Sequence, residues 1–205
     1  NDTKEEYLTR LIQDWKQDHI LTPERTCFVL TLTNAEVDAL NYGIRESLKT
    51  LGKLTGDEWE LDTNRGRERF MEGDRIQFTE TDRDLGIQNG AFGEIVVMHD
   101  TWWVIRQDDN QHIRIDPKTY KGLRHGYAGT IYKAQGATLD KTYVLHAPLA
   151  NQNNTYVALT RQTQDLGLYV SRDETPDLSH LVRQISRTSQ HTASLAYMTE
   201  TELKH

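Results

Sequence analysis

Residues 73 to 116 constrain the fold of this chain more than any other stretch. Four short segments there carry alternating or β-branched apolar residues: Arg75-Ile76-Gln77-Phe78, Gly93-Glu94-Ile95-Val96-Val97, Trp102-Trp103-Val104-Ile105 and His112-Ile113-Arg114-Ile115. Turn-forming residues separate them, at Gly73-Asp74, Asn89-Gly90, His99-Asp100 and Asp108-Asp109-Asn110. Strands so short and so closely spaced leave no room for crossover helices, so a small antiparallel barrel is expected, not a parallel sheet. Adjacent strand residues point to opposite faces, so at most one of Trp102 and Trp103 belongs to its core. The other is a candidate for stacking on unpaired bases.

The flanks have a different texture. Tyr7, Leu8, Leu11, Ile12 and Trp15 share one helical face, with Glu5 and Glu6 in a first turn where the helix dipole favours anions. Cys27-Phe28-Val29-Leu30 has no helical period and reads as a buried strand. Asn34 is the expected N-cap of a following helix that buries Val37, Leu40, Asn41, Ile44 and Leu48. Strand, polar loop and helix make the repeating unit of an α/β fold. That texture returns after Tyr120. Tyr127 to Thr130 leads toward a helix near Ile131 to Gly136, followed by a strand at Thr142-Leu145 and a short helix or turn at Tyr156-Leu159. A further strand is expected at Leu166-Val170, and a closing helix bears Leu178, Leu181, Val182 and Ile185. The expected organisation is an α/β unit over 1–68, a β insert over 69–121, a second α/β part over 122–185 and a frayed tail over 186–205.

With 205 residues, the chain can bury roughly 70% of its unfolded surface without a staple. Its single cysteine, Cys27, excludes an internal disulfide and a Cys-based zinc site. The histidines, including His125, lack ligand spacing, so no metal is expected. Acidic residues outnumber basic ones 31 to 24, which argues against a chain-wide nucleic-acid coat. Between Tyr120 and Arg161, however, Lys121, Arg124, Lys133, Lys141 and Arg161 face Asp140 alone, which is either a local basic groove or a solvated face. No apolar run is long enough for a membrane helix and no signal peptide is evident, so a soluble cytoplasmic protein without membrane insertion is expected.

No phosphate loop, nucleophile elbow, His-Glu-x-x-His or Rossmann fingerprint occurs in the sequence. A pair of motifs does: Gly126-Tyr127-Ala128-Gly129-Thr130-Ile131-Tyr132-Lys133-Ala134-Gln135-Gly136-Ala137-Thr138-Leu139-Asp140, and Tyr156-Val157-Ala158-Leu159-Thr160-Arg161. Three further stretches accompany them in order: Leu32-Thr33-Asn34 with Leu40-Asn41, Gly73 to Thr79, and Leu85 to Gly90. Together they resemble the C-terminal motor half of superfamily-1 helicases, most closely the helicase part of TraA/TraI-type conjugative relaxases. The resemblance spans roughly residues 5 to 175 and implies a RecA-like parallel sheet flanked by helices and interrupted by a small SH3-like β-barrel.

The resemblance also implies roles. Arg161 corresponds to an arginine finger that reaches a γ-phosphate held by the first lobe, where a planar, permanently charged donor stabilises the charge spread over phosphate oxygens. Gln135 and Gly136 lie beside that cleft, while Thr33, Asn34, Thr130, Tyr132 and Lys133 contact single-stranded DNA. Tyr132 stands where the family usually has His, and tyrosine cannot carry a proton near neutral pH. ATP and Mg2+ belong to the full-length enzyme, with none expected bound to this chain. Asn1 in place of Met suggests a cut, with a nucleotide-gripping lobe and a relaxase domain upstream, and the isolated chain is expected to be inactive as an ATPase. The implied activity is 5′-to-3′ translocation on single-stranded DNA during plasmid transfer.

Plainer readings stand beside these. In these Arg161 bonds a helix-end carbonyl or a carboxylate, Gln135-Gly136 ends a helix, and Thr33-Asn34 caps one, which is compatible with phosphate binding. The whole chain is alternatively a docking or translocation-signal module read by a type IV secretion coupling protein, or a gene remnant.

Overall fold

The computed structural model describes residues 4–23, 25–130, 139–146 and 162–186. Helix α1 (Lys4–Leu21) buries Tyr7, Leu11 and Trp15, three positions of the expected face. Strand β1 (Cys27–Thr31) is buried along its whole length. Helix α2 (Asn34–Thr50) turns Val37, Leu40, Asn41, Ile44 and Leu48 inward. Its N-cap is Thr33, not Asn34: Thr33 is extended, and its hydroxyl accepts from Glu36 N at 3.3 Å. The helix begins one residue earlier than expected because Glu36, at its third position, also takes a hydrogen bond from Thr31 at the strand end. Asn34 becomes the first helical residue and is exposed.

The antiparallel region starts earlier than its sequence signal. Strands β2 (Thr55–Thr63) and β3 (Gly66–Glu72) form a hairpin that Leu61 and Phe70 anchor in a core, with Trp59 packed against it. Its other face is a ladder of ion pairs, Arg67 with Asp62 at 3.2 Å and Arg69 with Glu60 at 3.5 Å, and this charge hides the strand pattern. Strands β4 (Arg75–Phe78), β5 (Phe92–His99), β6 (Trp102–Gln107), β7 (His112–Ile115) and β8 (Leu123–His125) follow. They form one antiparallel sheet in the order β7-β6-β5-β4-β8, and it shares with the hairpin a core built on Phe70, Phe78, Ile95, Trp103 and Ile105.

Trp103 is fully buried, as strand alternation requires of one of the pair. Trp102 faces outward but lies between neighbours from both flanking strands. The His99 ring stacks on it at 5.2 Å from β5, and the Arg114 guanidinium sits 4.6 Å from its centroid from β7. The ring therefore already has a histidine and an arginine packed against it.

The chain then returns to the first unit through β9 (Ala128–Thr130), β10 (Leu139–Leu145), β11 (Gln162–Tyr169) and helix α3 (Leu178–Ile185). Strands β11-β10-β1-β9 form a parallel sheet in that order. Helices α1 and α2 cover the face bearing Val29 and Tyr143. On the other face Phe28 meets Phe92 of the insert edge-on at 5.1 Å, joining the two sheets. The fold is thus α/β with an antiparallel insertion, as the sequence indicated. Helix α3 occurs where expected but its apolar residues do not close a core: Leu178 is 73% and Val182 54% exposed, and its buried residue is Gln184. No described helix is long and apolar enough to cross a membrane.

Candidate functional site at the ends of the parallel sheet

Parallel strands place loops of like kind on one edge, and in open α/β sheets ligands bind at the carboxyl edge. Strands β1 and β9 end together there, with Thr31 opposite Thr130. The Thr31 hydroxyl bonds the Glu36 carboxylate, and Thr130 is 8% exposed. Beside them Thr33 caps α2, whose first amides, at Asn34 and Ala35, have no intrahelical partner. Thr33, Asn34 and Thr130 thus meet at one edge, next to a helix N-terminus. Tyr7 of α1 approaches this edge, and its phenol is pushed up to about 12 by burial, then by Glu174 and Glu36.

Further along the same edge lies a buried polar cluster that sequence periodicity gave no hint of. His146 follows β10, and its backbone N–H donates to Tyr169 O at 2.8 Å. Gln184 Oε1 sits 2.9 Å from His146 Nε2 and accepts from Thr175 Oγ1 at 2.7 Å, so the imidazole proton belongs on Nε2. Gln184 Nε2 donates to Glu174 O at 3.1 Å. These bonds hold α3 by a polar side chain, which accounts for its outward apolar face.

The amino edge is fastened differently. Asp140 Oδ2 accepts from Thr26 N at 2.9 Å and from Thr26 Oγ1 at 2.8 Å, while Asp140 N donates to Thr26 O at 3.1 Å. The hydrogen bonds from the Thr26 backbone and hydroxyl hold the Asp140 carboxyl below its ordinary range. Strand β10 is paired to β11 at Leu139–Gln162 and then at Lys141–Asp165, so Asp140 opposes two residues in a bulge. Gln162 follows Arg161 directly in the chain, and Leu139 comes three residues after Gly136. Arg161, Gln135, Gly136, Tyr132 and Lys133 themselves lie outside the described residues, as do the expected helices at 131–136 and 156–159 and the tail from residue 187.

Two of the sequence motifs prove to be joints between sheet and insert. Asp74, fully buried, accepts from Met71 N at 2.7 Å, Tyr127 Oη at 2.8 Å and Arg45 Nε at 3.0 Å. Burial disfavours the Arg45 charge, but Asp74 and Glu58 outweigh it and raise its pKa further. Asn41 Oδ1 accepts from Tyr127 N at 3.0 Å and Ala128 N at 2.8 Å, and its Nδ2 donates to His125 O at 3.2 Å. Gly73 takes a φ of +91°, and a Cβ there would lie 2.9 Å from Lys53 O, so only glycine fits this entry to the insert. The Gly-Asp pair and the Leu-Asn pair thus serve architecture.

No protein-family model matches the chain. Among curated proteins it is 34% identical over 197 residues to the conjugal transfer protein TraA of Agrobacterium fabrum, covering 95% of this chain and 18% of that protein. It is 31% identical over 200 residues to a probable conjugal transfer protein TraA of Sinorhizobium fredii, again spanning 18% of it. Among solved structures, a Bacteroides Pif1 helicase in complex with ADP-AlF3 and single-stranded DNA matches with a TM-score of 0.57 at 17% identity. That alignment covers 88% of this chain and 49% of the helicase. A Pif1 helicase from Candida albicans matches with a TM-score of 0.54 at 17% identity, over 76% and 49% of the respective chains. At such identity the structural likeness concerns the fold. The chain is thus a homologue of one segment of the TraA conjugal transfer proteins, built on the RecA-like fold of Pif1 helicases.

Proposed function

We propose that this chain is the second motor lobe of an ATP-driven, 5′-to-3′ translocase acting on single-stranded DNA in conjugative transfer. The observation that supports this reading is the grouping of polar residues at the carboxyl edge of the parallel sheet. Thr33, Asn34 and Thr130 stand together at its carboxyl edge beside a helix N-terminus, an arrangement suited to phosphate oxygens. Tyr132 and Lys133 follow Thr130 in the chain, and the reading gives them contacts to the same strand. At the opposite edge the bulged pairing of Leu139 with Gln162 brings together the strand starts that follow Gly136 and Arg161. Arg161 then serves as the arginine finger and Gln135-Gly136 as its companions on a nucleotide gripped by a partner lobe.

ATP is the substrate of the joined lobes. Mg2+ accompanies the nucleotide on the partner lobe in this reading. The single-stranded DNA in one Pif1 structure supports the same partner here.

The test is to titrate this chain with a fluorescent oligothymidylate at several salt concentrations, alongside a Thr33→Ala/Thr130→Ala variant. The expected result is salt-dependent binding that weakens in the variant. Failure of the wild-type chain to bind, or hydrolysis of ATP by this chain alone, contradicts the reading.

A further inference from the structure

The carboxyl edge of the parallel sheet also holds a buried anion. Glu36, at the third position of α2, is 5% exposed. Its carboxylate accepts the Thr31 hydroxyl, and its backbone N–H donates to Thr33 Oγ1 at 3.3 Å. Alternate residues of a strand share a face, so Thr31 lies on the side of Val29 and its register partner Thr130 on the side of Ala128. Val29 and Ala128 belong to the core that α2 covers. Both threonines therefore stand on the α2 side, on neighbouring strands about 5 Å apart. One carboxylate is thus bonded to Thr31, a strand's width from Thr130, and carried by the residue whose amide Thr33 caps.

The charge of Glu36 reaches its surroundings. With Glu174 it adds to burial in pushing the Tyr7 phenol up to about 12. A carboxylate in the first turn also answers the positive end of the helix dipole, the same feature that attracts a phosphate. Where protein displaces water, two like charges repel over several ångströms. The hydrogen bond from Thr31 needs an acceptor but no charge, since a glutamine amide oxygen takes the same bond.

We propose, on the basis of the motor-lobe function above, that Glu36 is a positioning residue with a second effect: it orients Thr31 and Thr33, and its charge limits how tightly this edge grips the phosphates of single-stranded DNA. It touches no phosphate itself, because its carboxylate is turned inward to Thr31. A lobe that steps along single-stranded DNA releases it once per cycle, and a fixed anion beneath the contact weakens the grip with no moving part.

The experiment compares wild type with Glu36→Gln, Glu36→Asp and Glu46→Gln. Glu46 is a half-exposed carboxylate further along α2, so its neutralisation changes the net charge equally but away from the edge. Affinity for a fluorescent oligothymidylate at low salt and urea unfolding are measured on the same samples. Glu36→Gln is expected to bind about threefold tighter or more, with Glu36→Asp no tighter than wild type and Glu46→Gln within about 1.5-fold of it. The urea midpoint of Glu36→Gln is expected to hold or fall slightly, because the helix loses its first-turn charge. A purely structural Glu36 would lose affinity along with stability. Affinity of Glu36→Gln equal to or weaker than wild type, or a gain matched by Glu36→Asp or Glu46→Gln, overturns the proposal and leaves the DNA-binding function standing. Absence of binding in all four proteins overturns that function, and the role of Glu36 with it.

Discussion

Tyr127 donates its phenol hydrogen to Asp74 at 2.8 Å, linking residues 53 positions apart that stand at the exit and entry of the antiparallel insert. The same carboxylate holds Arg45 of α2, so one buried anion fastens three parts of the chain. Asp74→Ala leaves the Arg45 charge buried without its main counter-ion, and is expected to cost about 3–5 kcal/mol in urea unfolding. Tyr127→Phe removes one bond to a charged group and is expected to cost about 2 kcal/mol. Equal small losses in the two variants would show that Asp74 is not the fastening point.

Asn41 supplies the second joint. Asn41→Leu preserves side-chain volume but strips acceptors from the buried amides of Tyr127 and Ala128. A loss of about 2–4 kcal/mol is expected, with early hydrogen exchange at β9. Protection of β9 at wild-type level would contradict this.

His125 gives the fold a pH dependence. Its ring packs at a tilt against Phe70 at 4.8 Å, and burial lowers its pKa to about 4 from the usual 6.5, with Asp74 only partly opposing the shift. The unfolded chain takes up a proton on His125 below about pH 6.5, whereas the native state does so only near pH 4. Its contribution is therefore whole above pH 6.5 and lost as pH falls toward 4, by at most about 3 kcal/mol. Comparing unfolding of wild type and His125→Gln at pH 7.5 and 4.5 isolates it; an identical pH slope in both proteins contradicts it.

Thr33 has two duties that a pair of substitutions separates. Thr33→Ala removes the cap on α2, at about 1 kcal/mol, and also removes a hydroxyl from the carboxyl edge. Thr33→Asp restores a cap but adds a negative charge, so stability is expected to recover while single-strand affinity falls further. Recovery of both would separate Thr33 from DNA contact.

Much of this architecture was legible in the sequence because local periodicity and burial agreed. Cys27-Phe28-Val29-Leu30 reads as a buried strand and is one, and β4 and β7 occupy the segments their alternation marked. Three features escaped. The β2–β3 hairpin is charged on one face, so few apolar residues report it. The anchoring of helix α3 escaped, because Gln184 holds it in a polar cluster while Leu178 and Val182 face solvent. The Thr26–Asp140 clasp joins residues 114 apart, a distance over which a single sequence carries no pairing signal. At the site, Thr33, Asn34 and Thr130 were named only through the family resemblance, and it is the sheet register that brings Thr31 opposite Thr130.

The most direct test of the motor-lobe account concerns Arg161. In a polypeptide joining this chain to a nucleotide-gripping first lobe, single-strand-stimulated ATPase is measured for wild type and Arg161→Lys. The account expects kcat to fall by about a thousandfold or more while DNA affinity stays within about twofold. A kcat within about threefold of wild type would contradict it.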